Sequence, residues 1–111
     1  MIINSEIKDG VNVLVLKGRL DASSASELKN KYVELGTDHP NYVFDLSEVD
    51  FMDSTGLGSI VSCLKSAVEN DGNVKIAALQ PKPRMVFEIT RAYKIFDIFD
   101  DVDSAVESYN D

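Results

Sequence analysis

The sequence predicts an α/β protein, with a mixed, mostly parallel sheet of about four to five strands packed with about four helices. Short apolar runs rich in valine and isoleucine alternate along the chain with longer segments in which apolar residues recur at helical spacing. The first two strand-like runs are separated by Asp9 and Gly10, a pair typical of a tight hairpin turn. A hairpin followed by alternating strands and helices indicates that the inner strands are largely parallel.

The strands are predicted from apolar runs bounded by turn residues. The second run is apolar at nearly every position, as expected for a strand that is covered on both faces. The remaining runs are shorter or interrupted by polar residues. In chain order, strands are expected over Ile2–Ile7, Val11–Lys17, Tyr42–Leu46, Val74–Leu79 and Ile95–Phe99.

The helices are predicted from apolar periodicity and from their end signals. Ser24 and Glu27 have the spacing of a capping box at the start of the first helix. Pro81 and Pro83 break the chain before the third helix, and aspartates favour the start of the fourth, where the helix dipole attracts negative charge. In chain order, helices are expected over Ser24–Leu35, Ser54–Asn70, Arg84–Arg91 and Asp100–Ser108.

The second helix has two distinct faces. Its apolar residues share one side, which we expect to face the core. The opposite side is small and uncharged, although exposed helix faces more often carry glutamate and lysine. This polar side is either ordinary solvated surface or a surface for a partner. The expected core side consists of Leu57, Ile60, Val61, Leu64, Ala67 and Val68, and the polar side of Thr55, Ser59, Ser62 and Ser66.

Composition indicates one soluble domain over residues 1–111. A chain of 111 residues has the common size of a single core, and 44% hydrophobic with 27% charged residues suffices to form one. The formal net charge of −8 argues against binding nucleic acid or an anionic membrane surface, because both require a basic footprint. We therefore expect protein partners that present basic patches or neutral surfaces.

The sequence lacks signals for export, for membrane insertion and for cofactors. Cys63 is the single cysteine, which favours a reducing compartment. Met1–Lys8 does not resemble a signal peptide, and no later run approaches the length of a membrane span. Gly56 and Gly58 lack the neighbouring residues of a phosphate-binding or dinucleotide-binding loop. We expect a cytoplasmic protein without a cofactor or metal.

The candidate functional stretch is the junction from Asp53 to Gly58, between the third strand and the second helix. Ser54 is open to two interpretations: an N-cap of the helix, or a nucleophile or modification site. A nucleophile needs a base, and the sole histidine, His39, lies in a loop distant from this junction in the predicted order of elements. Asp21 follows the preceding strand of the sheet, and we expect it beside this junction, because parallel strands end at the same edge.

A phosphoacceptor aspartate or a metal site among Asp45, Asp50 and Asp53 is another interpretation of this region. A receiver domain has an acidic pair after its first strand and a lysine after a late strand. Gly18 and Arg19 occupy the first of these places here. Solvated or capping aspartates explain the pattern better.

The run Asp53, Ser54, Thr55, Gly56, Leu57, Gly58 resembles the motif of STAS domains in bacterial anti-sigma factor antagonists. The resemblance covers nearly the whole chain. One departure is at Ala92 and Tyr93, where many members have glycine and leucine. The other residues that carry the resemblance are Gly18, Leu20 and Asp21, then Val43, Phe44, Asp45, Leu46 and Ser47, then Val49, Phe51 and Met52, and finally Ile95 and Phe96.

The resemblance implies a non-enzymatic partner switch. In that family, an anti-sigma factor that is itself an ATP-dependent serine kinase phosphorylates the serine matching Ser54, and a PP2C-type phosphatase removes the phosphate. The unphosphorylated form binds the kinase and releases its sigma factor. The alternative is a STAS interaction module in another partner-switching or transport complex that does not end in a sigma factor. We expect a monomer or weak dimer whose partner-binding residues are Asp21, Asp53, Ser54, Thr55, Gly56, Leu57, Gly58, Ser59 and Ser62.

Overall fold

The computed structural model describes residues 1–110. Within them, the strands form one five-stranded mixed sheet. The strands lie side by side in chain order; the first pair is antiparallel, and every later pair is parallel. The predicted α/β class with a mostly parallel sheet is therefore confirmed. Asp111, the last residue of the expected domain, lies outside the described residues. The strands are β1 (Ile2–Lys8), β2 (Val11–Leu20), β3 (Asn41–Met52), β4 (Asn73–Ala77) and β5 (Ile98–Phe99).

Helices cover both faces of the sheet. The first three pack against the larger apolar cluster on one face, and the fourth packs against a smaller cluster on the other face. A short 3-10 helix at Ala92–Lys94 connects the third helix to the last strand. The α-helices are α1 (Ala25–Glu34), α2 (Ser54–Glu69), α3 (Pro81–Ile89) and α4 (Val102–Ser108).

Strand β2 contributes to both apolar clusters, as its nearly continuous apolar sequence predicts. Leu14 and Leu16 point into the larger cluster, whereas Val11 and Val13 point into the smaller one under α4. All four side chains are at most 2% exposed. The alternation follows from the period of two along a strand, so the apolar residues of the run pack alternately against the two clusters.

The hairpin between β1 and β2 forms as predicted. Asp9 and Gly10 both have positive φ angles, 52° and 81°, and Lys8 pairs directly with Val11 across the turn. Two-residue hairpin loops of this geometry match the twist of the strands, and they require residues that tolerate positive φ. The turn therefore fixes the register of the antiparallel pair.

Strands β2 and β3 both run further than predicted, which places their ends at the candidate site. β2 was expected to end at Lys17 and β3 at Leu46, but they continue to Leu20 and Met52. Register shifts let the two extensions stay paired, so that Leu20 lies opposite Met52. The extensions were missed because their polar residues break the apolar pattern, while their pairing is a non-local contact.

The capping box predicted for α1 does not form. The Ser24 hydroxyl donates to the carbonyl of Arg19 at 2.7 Å and accepts from the backbone N–H of Asp21 at 3.0 Å. Ser24 itself has helical backbone angles and makes no side-chain cap bond to α1. The hydroxyl therefore fastens the loop after β2 to the end of that strand.

Several other boundaries differ from the predictions. Pro81 occupies the first position of α3 rather than interrupting the chain before it, since proline at this position lacks only an N–H that would be unpaired anyway. The segment predicted as the strand Ile95–Phe99 is a strand only at its last two residues. The shifts at the ends of β4 and α4 are smaller. None of these changes moves the candidate site.

Candidate functional site

The ends of β2 and β3 bring the two candidate stretches together. Leu20 and Met52 are paired, so Asp21 and Asp53 follow on neighbouring strands. The backbone N–H of Asp53 donates to the carbonyl of Leu20 at 3.3 Å, which extends the contact past the strand ends. The expectation that Asp21 lies beside the Asp53–Gly58 junction is confirmed.

The N-cap of α2 is Asp53, not Ser54. Asp53 has extended backbone angles, and its Oδ1 accepts a hydrogen bond from the N–H of Gly56 at 2.8 Å. Ser54 is the first residue within the helix, and it is exposed. Its hydroxyl makes no hydrogen bond to another residue within 1–110. The capping interpretation of Ser54 was therefore wrong, and a neighbouring carboxylate performs that role.

Gly56 and Gly58 have different structural roles. A Cβ on Gly56 would lie 2.0 Å from the carbonyl oxygen of Leu20, a separation that real atoms do not adopt. A Cβ on Gly58 would meet no atom within 4 Å. Gly56 is thus required for docking α2 on the end of β2, whereas the fold places no steric demand on Gly58.

The exposed side of α2 differs from the predicted polar side. Ser59 is only 1% exposed, and its hydroxyl donates to the carbonyl of Gly56 at 2.6 Å. Val68, expected in the core, is 58% exposed. Leu57 is buried in the larger cluster as predicted. Near its start, the helix presents to solvent Ser54, Thr55, Gly58 and Ser62.

Asp21 is held by its own loop. Its Oδ1 accepts from the N–H of Ser23 at 3.0 Å and from the Ser23 hydroxyl at 2.6 Å, while Oδ2 lies 3.5 Å from Nε of Arg19. These hydrogen bonds, chiefly that from the Ser23 hydroxyl, hold the pKa of Asp21 below its ordinary value of 3.8. The carboxylate is therefore charged at neutral pH and fixed in orientation.

Arg19 lies beside Asp21 at the same edge of the sheet, although no sequence pattern marks it as functional. Its guanidinium carbon lies 4.0 Å from the centre of the Phe51 ring, a cation–π arrangement, in addition to the contact with Asp21. Arg19 and Phe51 are partners across β2 and β3, in the extensions that were expected to be loop. Recognising this pair would have required the shifted register of the two strands.

The described residues contain no cluster of three or more histidine, cysteine or acidic side chains that could hold a metal ion. Cys63 is buried in the larger cluster, and burial raises the pKa of its thiol to about 12. The thiol is therefore protonated at neutral pH. No helix within residues 1–110 is both long enough and apolar enough to cross a membrane.

Comparison with known proteins identifies the family. Residues 3–105 match the STAS domain family. The anti-sigma-B factor antagonist of Bacillus subtilis is 33% identical over 100 residues, covering 88% of this chain and 92% of that protein. The anti-sigma-B factor antagonist of Staphylococcus aureus is 30% identical over 89 residues, covering 79% and 82%. The chain therefore belongs to the STAS domain family, in its branch of anti-sigma factor antagonists.

Solved structures agree with this assignment. An anti-sigma factor antagonist from Mycobacterium paratuberculosis superimposes with a TM-score of 0.89 at 27% identity, covering 99% of this chain and 94% of that one. The Bacillus cell fate determinant SpoIIAA, solved in its phosphorylated form, superimposes with a TM-score of 0.75 at 17% identity, covering 97% and 99%. At that identity, the second likeness concerns the fold alone.

Proposed function

We propose that this protein is a phosphorylation-controlled anti-sigma factor antagonist, in which Ser54 carries the phosphate. One observation supports this most: Ser54 is exposed at the first position of α2, and its hydroxyl is not used by the fold, because Asp53 caps the helix. A kinase can therefore modify the hydroxyl without breaking a structural hydrogen bond. Relatives named as anti-sigma-B factor antagonists agree with the antagonist part of this proposal.

The fold should tolerate the phosphate. A phosphoserine carries about −1.5 to −2 charge, and a negative charge near a helix N-terminus is stabilising by roughly 0.3 to 1 kcal/mol. The Asp53 carboxylate, which already caps this helix, reduces that benefit by like-charge repulsion. The two effects are small and opposed, so the modified domain remains folded.

The partner complex should not tolerate it. Docking would force the phosphate to lose water or to meet like charges, and such juxtaposition costs several kcal/mol. Each 1.4 kcal/mol corresponds to about a tenfold change in affinity, so this penalty exceeds the small effects on the fold. In the unphosphorylated form the protein binds the anti-sigma factor and releases its sigma factor. Phosphorylation releases the anti-sigma factor from this protein, and the anti-sigma factor then binds its sigma factor again.

The proposed partner surface divides into exposed and supporting residues. Asp21, Asp53, Ser54, Thr55, Gly58 and Ser62 form its accessible part. Gly56, Leu57 and Ser59 are buried, so they shape the surface from below. The partner is an anti-sigma factor that acts as an ATP-dependent serine kinase, and a PP2C-type phosphatase restores the starting form. The protein itself acts in the cytoplasm by binding, without catalysing a reaction.

The test is to incubate the purified protein with the anti-sigma factor kinase of the same organism and ATP, and to map the phosphate by mass spectrometry. We expect a single phosphate on Ser54. Ser54→Ala should abolish labelling, while Thr55→Ala, which removes the neighbouring exposed hydroxyl, should keep it. Labelling that persists in Ser54→Ala would disprove the assignment.

Binding provides the second half of the test. Ser54→Asp should weaken binding to the kinase by at least about tenfold and leave the circular dichroism spectrum native. The Ser54→Ala variant should bind like the unphosphorylated protein. A kinase that binds the protein but labels no residue would favour a STAS module that works without this switch.

A further inference from the structure

The Arg19 side chain is exposed yet fixed in place. It is 63% exposed, its guanidinium carbon stacks 4.0 Å from the centre of the Phe51 ring, and its Nε lies 3.5 Å from Oδ2 of Asp21. Exposed arginines usually sample many rotamers, and ordering one on binding carries an entropic cost. Here the two contacts restrict the side-chain conformation before any partner arrives.

The contacts of Arg19 are themselves held by the fold. The Asp21 carboxylate is oriented by two hydrogen bonds from Ser23. The carbonyl of Arg19 accepts a hydrogen bond from the Ser24 hydroxyl at 2.7 Å, which fixes the backbone from which the side chain extends. Phe51 is half-buried on the paired strand. Contacts at both the backbone and the guanidinium of Arg19 therefore orient the side chain.

The donor groups at the end of this side chain remain available. The two terminal nitrogens of an arginine carry four N–H groups in a planar fork that matches a carboxylate. Those of Arg19 make no hydrogen bond to a protein group within residues 1–110. The internal ion pair uses the Nε side of the guanidinium. A second carboxylate can approach the terminal nitrogens without displacing Asp21.

Arg19 borders the proposed partner surface. It pairs with Phe51, three residues before Ser54, and neighbouring strands lie about 4.8 Å apart. The next residue, Leu20, contacts both Asp53 and Gly56 through its carbonyl. In a chain of net charge −8, a fixed cation among the aspartates at this edge sets a local charge pattern that a partner can match.

We propose that Arg19 is the anchor of the partner surface, where its terminal nitrogens bind a carboxylate of the anti-sigma factor. This inference rests on the proposed function and adds the chemistry of the contact. Asp21, which lies in the accessible part of the partner surface, is then also a positioning residue, because its carboxylate holds Arg19. Arginine is one of the residue types enriched among those that dominate interface energetics.

The test measures binding to the anti-sigma factor kinase by isothermal titration calorimetry, using unphosphorylated protein. Arg19→Ala should weaken binding about 10- to 100-fold, and Arg19→Lys should weaken it by less than Arg19→Ala, because lysine keeps the charge but loses the fork and much of the stacking. The matched control is Lys17→Ala, two residues earlier on β2, whose ammonium also forms a 3.5 Å ion pair, with Glu48. We expect that control to stay within about twofold of wild type.

Further readouts separate a direct contact from a structural role. Binding by the Arg19→Glu variant should be restored when one acidic residue of the anti-sigma factor is replaced by arginine. Such a rescue is not expected if Arg19→Glu weakens binding only by disrupting the loop. Asp21→Asn should weaken binding less than Arg19→Ala does, and combining the two should add little, as expected for residues that act through one contact.

The outcomes are distinguishable from those of the function test. If wild-type protein binds the kinase and is labelled on Ser54 while Arg19→Ala binds within twofold, this inference is wrong and the proposed function stands. If wild-type protein neither binds nor is labelled, both fail. Equal losses of affinity in Arg19→Ala and Lys17→Ala would also overturn the inference about Arg19, since they would indicate a general effect of charge.

Discussion

Helices α2 and α4 both begin with an aspartate cap, but the two helix starts serve different purposes. In α2, Oδ1 of Asp53 accepts from the N–H of Gly56 at 2.8 Å; in α4, Oδ1 of Asp101 accepts from the N–H of Ser104 at 2.7 Å. Both aspartates have extended backbone angles and bond to the residue three positions later. The local signal that begins a helix is therefore the same at the two places.

The surroundings of the two starts differ. The first turn of α2 is pressed against the carbonyl of Leu20, and its first residue, Ser54, points to solvent. The first residue of α4, Val102, packs against the smaller apolar cluster, and its cap residue is exposed. In α2 the fold fixes the backbone and leaves the first side chain unused. A helix start of that kind can carry a modification site, whereas the start of α4 serves stability.

The close approach of α2 to β2 gives the largest expected effect. Gly56→Ala would place a methyl group 2.0 Å from the Leu20 carbonyl oxygen, so the helix must shift, at a cost of about 3 kcal/mol in the free energy of unfolding. The control is Ser104→Ala, the equivalent position in α4, which should change stability by less than about 0.5 kcal/mol. Urea denaturation followed by circular dichroism measures both. Equal effects at the two positions would remove the structural distinction between the helices.

The cap of α2 gives the next effect. Asp53→Ala removes the acceptor for the Gly56 N–H and should lower the free energy of unfolding by about 1 kcal/mol. Asp53→Asn should recover most of this loss, because asparagine is as good a cap as aspartate. The same denaturation experiment tests it, with Ser54→Ala as the control. A larger loss in Ser54→Ala than in Asp53→Ala would return the capping role to the serine.

Gly58 gives a smaller effect of opposite sign. It lies inside α2, and a Cβ at this position would have no atom within 4 Å, so Gly58→Ala should stabilise the protein by about 0.5 to 1 kcal/mol through the helix propensity of alanine. The measurement is a rise in the denaturation midpoint. A fall in the midpoint would mean that this face of α2 tolerates no added side chain.

Local patterns were sufficient to predict most of the fold. The hairpin at Asp9 and Gly10, the double-sided burial of β2 and the existence of the four α-helices follow from spacing and turn residues within short windows. The ends of β2 and β3 were not predictable in this way. Polar residues such as Glu48 and Asp50 interrupt the apolar pattern there, and pairing between distant segments keeps them in the strand.

Sequence patterns predicted the start of α2 at the right residues but did not identify its cap. Asp53 and Ser54 are both residues that cap helices, and sequence alone does not choose between adjacent candidates. The choice depends on how α2 docks against Leu20, which is a tertiary contact. The contacts of Arg19 were not predictable for a related reason. They depend on Phe51, which is distant from Arg19 in the sequence and pairs with it across the two strands.

The smallest expected effect concerns the pH dependence of the α4 cap. The hydrogen bonds from Ser104, chiefly that from its backbone N–H, hold the pKa of Asp101 below its ordinary value of 3.8. A carboxyl group with a lowered pKa in the folded state stabilises the fold above the pKa of the unfolded chain, and that contribution is lost as the pH falls through the folded value. Its loss should therefore begin near pH 4 and continue below it.

Asp101→Asn isolates this contribution, because asparagine keeps the cap but does not titrate. The difference in unfolding midpoint between wild type and Asp101→Asn should be constant from about pH 7 to pH 5 and should shift in favour of the variant as the pH drops from about 4 to 2.5. A difference that stays constant over the whole range would show that the Ser104 hydrogen bonds do not depend on the charge of Asp101. The cap of α4 would then act by geometry alone, and its likeness to the cap of α2 would not extend to electrostatics.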